Sequence, residues 1–149
     1  IGVTYTILIL NNSTKKTLNM PTTLQDKKAR KVLVVEDEGD MGLLLDIMLN
    51  GKSNLEMEYA KSLKDAGSYL QEEQPEVVIL DNKLPDGLGI DYISEIKKNY
   101  PEIKIIMISG YDASAEDVAL ENGANVFLQK PFTRDQLYNS IVQLLDHKN

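Results

Sequence analysis

The sequence predicts an α/β domain built on a parallel five-stranded sheet with helices on both faces. Three observations lead there. From Lys31 onward, short apolar runs of strand type alternate with stretches whose apolar residues recur at helical spacing. The run Val77-Val78-Ile79-Leu80 is apolar at four consecutive positions, the mark of a strand buried on both faces rather than one with a wet side. The segments between these elements are short, so strict strand–helix alternation implies a parallel sheet with right-handed crossovers.

Taken in order, Val32 to Val35 reads as a buried strand ending in Glu36-Asp37-Glu38. Met41, Leu44, Leu45, Met48 and Leu49 follow at i, i+3, i+4, i+7 and i+8, an amphipathic helix that stops near Asn50-Gly51. Leu55 to Tyr59 alternates apolar and acidic residues, a half-exposed strand. Ser62 to Glu73 is a second helix with Leu63, Ala66 and Leu70 on one face, and Ser62 three residues before Asp65 suits a helix start. Val77 to Asp81 is the third strand. Pro85 and Gly87 keep the chain after it from continuing as strand or passing at once into helix. Ile90 to Tyr100 forms the third helix, with Ile93 and Ile96 inward, ended before Pro101. Ile103 to Ile108 is the fourth strand, and Ser114 to Asn122 a weakly apolar fourth helix closed by Gly123. Val126 to Leu128 is a short fifth strand. Thr133-Arg134-Asp135-Gln136 has the form of a capping box and opens a helix carrying Leu137, Ile141, Leu144 and Leu145 on one face.

Residues 1–29 differ in character. Tyr5 to Leu10 has strand propensity and is far too short to cross a bilayer; the polar stretch that follows reads as linker or tail. The expected division is an N-terminal tail or appended segment over 1–29, with Met20 a plausible natural start, and a domain over 30–149. The apolar share of 42% and charged share of 26% are those of a globular protein with one core. A net charge of −7 argues against a direct nucleic-acid role, since phosphates need a basic face. The absence of cysteine excludes thiolate catalysis and disulfides, and the single histidine, His147, leaves no histidine-based triad or metal site. Any metal here would have to be held by oxygen, which suits Mg²⁺ or Ca²⁺.

In a parallel sheet the C-terminal ends of all strands share one rim, where ligands bind. Glu36 and Asp37 follow the first strand, Asp81 the third, Ser109 the fourth and Lys130 the fifth. Three carboxylates close together raise one another's pKa, a conflict that a hard cation relieves. With a lysine and a hydroxyl beside them, such acids suit phosphoryl transfer to an aspartate. Each residue has an ordinary alternative: acids at a helix start, a surface lysine, a serine in a turn. Five such residues, each at a strand end, favour the phosphoryl reading.

Over roughly Arg30 to Asp146 the sequence resembles the receiver domain of two-component response regulators. The resemblance rests on Glu36-Asp37 after the first strand, on Asp81 followed by Pro85 and Gly89, on Ser109-Gly110, on Phe127 in the fifth strand, and on Lys130-Pro131-Phe132. It implies a flavodoxin-like (βα)5 three-layer sandwich with strand order 2-1-3-4-5. It implies that Asp81 accepts a phosphoryl group from a sensor histidine kinase or phosphotransfer protein, and that the domain catalyses only its own phosphorylation and dephosphorylation. Mg²⁺ or Mn²⁺ would be held by Asp37, Asp81, the backbone carbonyl of Lys83 and, directly or through water, Glu36. Ser109 and Lys130 would hold the phosphoryl oxygens, and Ser109 and Phe127 would act as the switch. The face made by the fourth helix, fifth strand and fifth helix would pass the signal to a downstream protein or a second copy in a homodimer. Lys83 and Tyr111 stand where the family tunes phosphoryl lifetime, and their bulk is expected to slow dephosphorylation. The Lys130-Pro131 bond is expected to be cis. By the same resemblance the first helix, with Gly42 and Asp46, faces the kinase, and the domain belongs in the cytoplasm without a membrane partner.

Two features depart from the commonest pattern: Glu36 is longer than the more frequent aspartate, and Phe127 lacks the hydroxyl of a tyrosine. A small Mg²⁺-dependent phosphatase is the enzymatic alternative, disfavoured by Lys83 where a second acid is usual. A flavodoxin-like nucleotide binder lacks its glycine-rich loop after the first strand. A receiver-like docking module that is never phosphorylated is the remaining alternative. With no further segment after Asn149, the domain is expected to be either stand-alone or excised from a longer protein.

Overall fold

The computed structural model describes residues 29–49, 54–110 and 114–146. The expected strand at Tyr5 to Leu10, the rest of the tail through residue 28, the stop at Asn50-Gly51, Tyr111 and His147 lie outside the described residues.

Among the described residues, the five strands of the main sheet alternate with five helices: β1 (Arg30–Val35), α1 (Gly39–Leu49), β2 (Leu55–Ala60), α2 (Leu63–Glu72), β3 (Val77–Asp81), α3 (Gly89–Asn99), β4 (Lys104–Ser109), α4 (Ala115–Glu121), β5 (Val126–Gln129) and α5 (Arg134–Asp146). All strand pairs of the sheet are parallel, in the order β2-β1-β3-β4-β5, the 2-1-3-4-5 arrangement that the resemblance implied. Val35 pairs with Leu80, Asp81 with Ile108, and Ser109 with Gln129, so the chain ends of β1, β3, β4 and β5 reach one rim together.

The apolar run of β3 is buried at every position because it has a helical layer on each side. Val78 and Leu80 join Leu33, Val35, Ile105 and Met107 in a core with Ala66 and Leu70 of α2, Ile93 and Ile96 of α3 and Ala119 of α4. Val77 and Ile79 point the other way and pack with Val32, Val34, Ile106 and Ile108 against Leu45 and Leu49 of α1 and Leu137 and Ile141 of α5. Alternation of side chains along each strand therefore feeds two cores, and the result is a three-layer sandwich.

Caps fall where the side chains demand them. Ser62 stands just outside α2 as its N-cap, its Oγ accepting from the Asp65 N–H at 3.0 Å. Thr133 and Gln136 close a full capping box before α5: the Gln136 N–H donates to Thr133 Oγ1 at 3.1 Å, and the Thr133 N–H to Gln136 Oε1 at 2.8 Å.

The structure corrects several boundaries and one inward residue. β4 begins at Lys104 and runs on through Ser109, and β5 through Gln129, because each stays hydrogen-bonded to its neighbour to the rim. Helix α3 starts at Gly89 and ends at Asn99, with Tyr100 as its C-cap. In α1, Leu44 does not face the core but is 43% exposed, beside Leu43 at 61% and Ile47 at 62%. The inward stripe is Leu45 and Leu49 flanked by Met41 and Met48; Leu44, one residue and about 100° round from Leu45, falls off it. The loop after β3 holds a two-residue antiparallel ribbon, Lys83–Leu84 against Gly87–Leu88, which apolar periodicity did not announce.

Candidate functional site at the sheet rim

Asp81 is the last residue of β3, and it is 7% exposed although it is an acid. The chain leaves it through a tightly tied corner. The Asn82 N–H donates to Ile108 O at 3.1 Å, the Asn82 carbonyl accepts from the Gly89 N–H at 2.7 Å, and Asn82 Oδ1 accepts from the Ile90 N–H at 3.1 Å. Asn82 thus closes the whole loop from β3 to the first turn of α3. Gly89 has to be glycine for this approach, since a Cβ there would stand 2.2 Å from the Asp81 carbonyl oxygen. Farther out, the Asp86 carboxylate accepts from the Leu63 N–H at 2.8 Å and the Lys64 N–H at 2.9 Å, which fastens the ribbon to the start of α2. These bonds, Leu63 first and then Lys64, hold the Asp86 carboxyl below its ordinary pKa.

Lys130 enters from the end of β5. Its N–H donates to the Ser109 carbonyl at 2.8 Å, which keeps the chain beside β4 past the last strand residue. Its Nζ reaches Asp81 Oδ1 at 3.2 Å. This ion pair spans two strands of the sheet and is half sheltered, the lysine side chain 25% exposed and the aspartate 9%. The Lys130-Pro131 peptide is cis, as the resemblance implied. Ser109 is buried as the final residue of β4, and Phe127 is half-buried against the core shared by α2, α3 and α4.

The two acids after β1 are unlike each other. Asp37 is exposed, whereas Glu36 is buried and its N–H continues the pairing with β2 by donating to Ala60 O at 2.9 Å. Burial raises the pKa of the Glu36 carboxyl, the nearby Asp81 and Asp37 charges add to this, and backbone hydrogen bonding at Glu38 and Gly42 opposes it. Its Oε2 is buried and has no hydrogen-bond partner. Lys83 is exposed on the ribbon. Among the described residues, no group of three acids or histidines is gathered tightly enough to hold a metal ion by side chains alone. The structure therefore joins Asp81 and Lys130 directly, sets Ser109 and Glu36 among the buried rim residues, and leaves Asp37 and Lys83 at the surface. Asn82, Asp86 and Gly42 were not singled out as parts of the rim by the sequence; each acts through a backbone contact that no motif spacing reveals.

Residues 32–142 match the family model described as the response regulator receiver domain. The response regulator protein PilR of Pseudomonas aeruginosa is 33% identical over 121 residues, 80% of this chain and 27% of that protein, so the chain spans about a quarter of that relative's length. The crystal structure of the receiver domain of NtrX from Brucella abortus superposes with a TM-score of 0.73 at 31% identity, covering 78% of this chain and 99% of the other. The receiver domain protein (CheY-like) of Methanospirillum hungatei does so with a TM-score of 0.74 at 25% identity, covering 80% and 95%.

Proposed function

The chain belongs to the response regulator receiver domain family of two-component signalling, and on that premise we propose that Asp81 is its phosphoacceptor. The observation that carries the reading is the reach of Lys130 Nζ, 3.2 Å from Asp81 Oδ1, across the sheet rim. A carboxylate attacks phosphorus as the anion, and the Lys130 ammonium at contact distance stands where the oxygens of an incoming phosphoryl group would meet a positive charge. One Asp81 oxygen bonds to the phosphorus of a phosphohistidine on a sensor kinase or phosphotransfer protein. The P–N bond breaks, its electron pair stays on the imidazole, and an acyl phosphate remains on Asp81. Lys130 then faces the new phosphoryl oxygens, and the Ser109 hydroxyl donates to another of them.

The residues present fit a hard divalent cation such as Mg²⁺ or Mn²⁺. The available donors are oxygens only, and Glu36 Oε2 is a buried acceptor with nothing to accept from. Asp37, Asp81 and the Lys83 carbonyl would hold the ion, with Glu36 reaching it through water. Such an ion, when bound, would supply positive charge against the transferring phosphoryl group. The remaining steps belong to the chain. Drawing Ser109 toward the phosphoryl group moves the end of β4, and Phe127, already half-buried one strand away, turns farther inward. Such a shift is a change of population between two packings, and it alters the α4–β5–α5 face offered to a downstream protein or a second copy. Lys83 and Tyr111, two residues beyond Asp81 and Ser109 in the sequence, stand at the positions where the family tunes phosphoryl lifetime, and their bulk lengthens the life of the acyl phosphate. The domain so described starts at residue 30, with 1–29 appended to it. It modifies itself rather than turning over a separate substrate. No described helix is long and apolar enough to cross a membrane.

Incubation with acetyl phosphate and Mg²⁺, followed by intact-mass measurement, tests the reading. A phosphoryl adduct labile to hydroxylamine is expected in the wild type, none in Asp81→Asn, and a strongly slowed one in Lys130→Ala. A wild-type chain that stays unmodified, or an adduct that survives Asp81→Asn, sinks it.

A further inference from the structure

Gly42 sits inside α1, where glycine is less favourable than alanine, and it is buried. Its surroundings are unusual. A Cβ added there would stand 2.6 Å from Oε1 of Glu36, while its next neighbours, carbons of the Tyr59 ring, lie at 3.6 and 3.7 Å. The obstacle is thus the end of one flexible side chain and no part of the backbone. Gly39, in the first turn of the same helix, has nothing within 4 Å and imposes no such requirement. The Glu36 carboxylate therefore occupies the space that a side chain at position 42 would fill, with Oε1 against α1 and Oε2 buried without a partner. Glu36 and Gly42 together line a cavity of about 290 Å³, with Asp37, Leu43 and Lys61 among its other walls.

We propose that Gly42 is a positioning residue for the acidic pair: its missing side chain seats the Glu36 carboxylate, and through that seat it sets the affinity of the rim for a divalent cation. This rests on reading the rim as a Mg²⁺-assisted phosphoacceptor site. The extra methylene of Glu36, relative to aspartate, supplies the reach to α1, so residues 36 and 42 form a matched pair. A methyl group at position 42 is accommodated by moving the carboxylate, not the helix.

Mg²⁺ titration calorimetry on the full chain, with thermal unfolding without metal, tests this on the wild type, Gly42→Ala, Glu36→Asp and the double variant. Gly42→Ala is expected to bind Mg²⁺ about tenfold more weakly, the scale of losing an outer-shell group. Its metal-free melting temperature should be unchanged or higher, since alanine suits a helix better. In the Glu36→Asp background, whose shorter side chain does not reach the seat, adding Gly42→Ala should change affinity less than about twofold. Wild-type affinity in Gly42→Ala, equal losses in both backgrounds, or a Gly42→Ala chain that fails to fold each overturn the proposal. A wild type that binds no Mg²⁺ removes the site reading along with it, whereas a wild type that binds Mg²⁺ and is phosphorylated at Asp81, with uncoupled variants, removes only the role of Gly42.

Discussion

Gly89→Ala puts the tightest contact of the rim to the test. The new Cβ would stand 2.2 Å from the Asp81 carbonyl oxygen, 3.0 Å from Leu80 Cγ and 3.1 Å from the Asp81 carbonyl carbon, so the two backbones must part. A rotamer change cannot relieve a contact between main chains. Nor is either side free to retreat: Asn82 holds Ile108, Gly89 and Ile90 by three hydrogen bonds of 2.7 to 3.1 Å. Overpacking of this kind costs about 1–3 kcal/mol, and one backbone hydrogen bond lost from the corner adds about 1 kcal/mol. The lower freedom of alanine in the unfolded chain returns about 0.4–1 kcal/mol. The net loss is about 1–3.5 kcal/mol, or roughly 4–14 °C in melting temperature for a domain of this size. Urea unfolding followed by far-UV circular dichroism reads it, with Gly39→Ala as the control because that site is open. A Gly89→Ala midpoint equal to that of the wild type or of Gly39→Ala would refute the close approach. The variant should also lose phosphorylation at Asp81, since the strand end that carries the acid has been moved.

Asp86→Ala cuts the ribbon from α2 and should lower the melting temperature at neutral pH. The folded Asp86 pKa lies below the ordinary 3.8, so the stabilisation is full above that value and is lost as pH falls through the depressed one. The gap between wild type and variant should therefore close in acid, and a gap that widens there contradicts the contact. Gly123→Ala forces a side chain into a backbone with φ +112, against Lys97 Cγ at 2.9 Å, and should cost about 1–2 kcal/mol in denaturant unfolding. Thr133→Ala removes half of the capping box and should cost about 1 kcal/mol by the same measurement, with Thr133→Ser restoring most of it.

Much of this molecule is written in local pattern. The four-residue apolar run of β3 announced a strand with a helical layer on each side, and Val77 and Ile79 do face one core while Val78 and Leu80 face the other. Thr133 and Gln136 announced the start of α5, because a capping box needs only four adjacent residues. Alternation of strand and helix is likewise a local property, and parallel pairing with polar residues at one rim follows from it. Strand order does not follow, and here it came from likeness to a family; only the register of Val35 with Leu80 and Asp81 with Ile108 shows that β3 lies between β1 and β4. Contacts that depend on two remote segments were decided by the tertiary structure alone. Leu44 has the spacing of a core residue, yet α1 meets the sheet and α5 along a stripe that leaves it exposed. The acids of Glu36 and Asp37 are neighbours in sequence and opposites in space, one buried against α1 and the other in solvent. Burial and partnership are set by what packs over a residue, and that depends on segments far away in the chain.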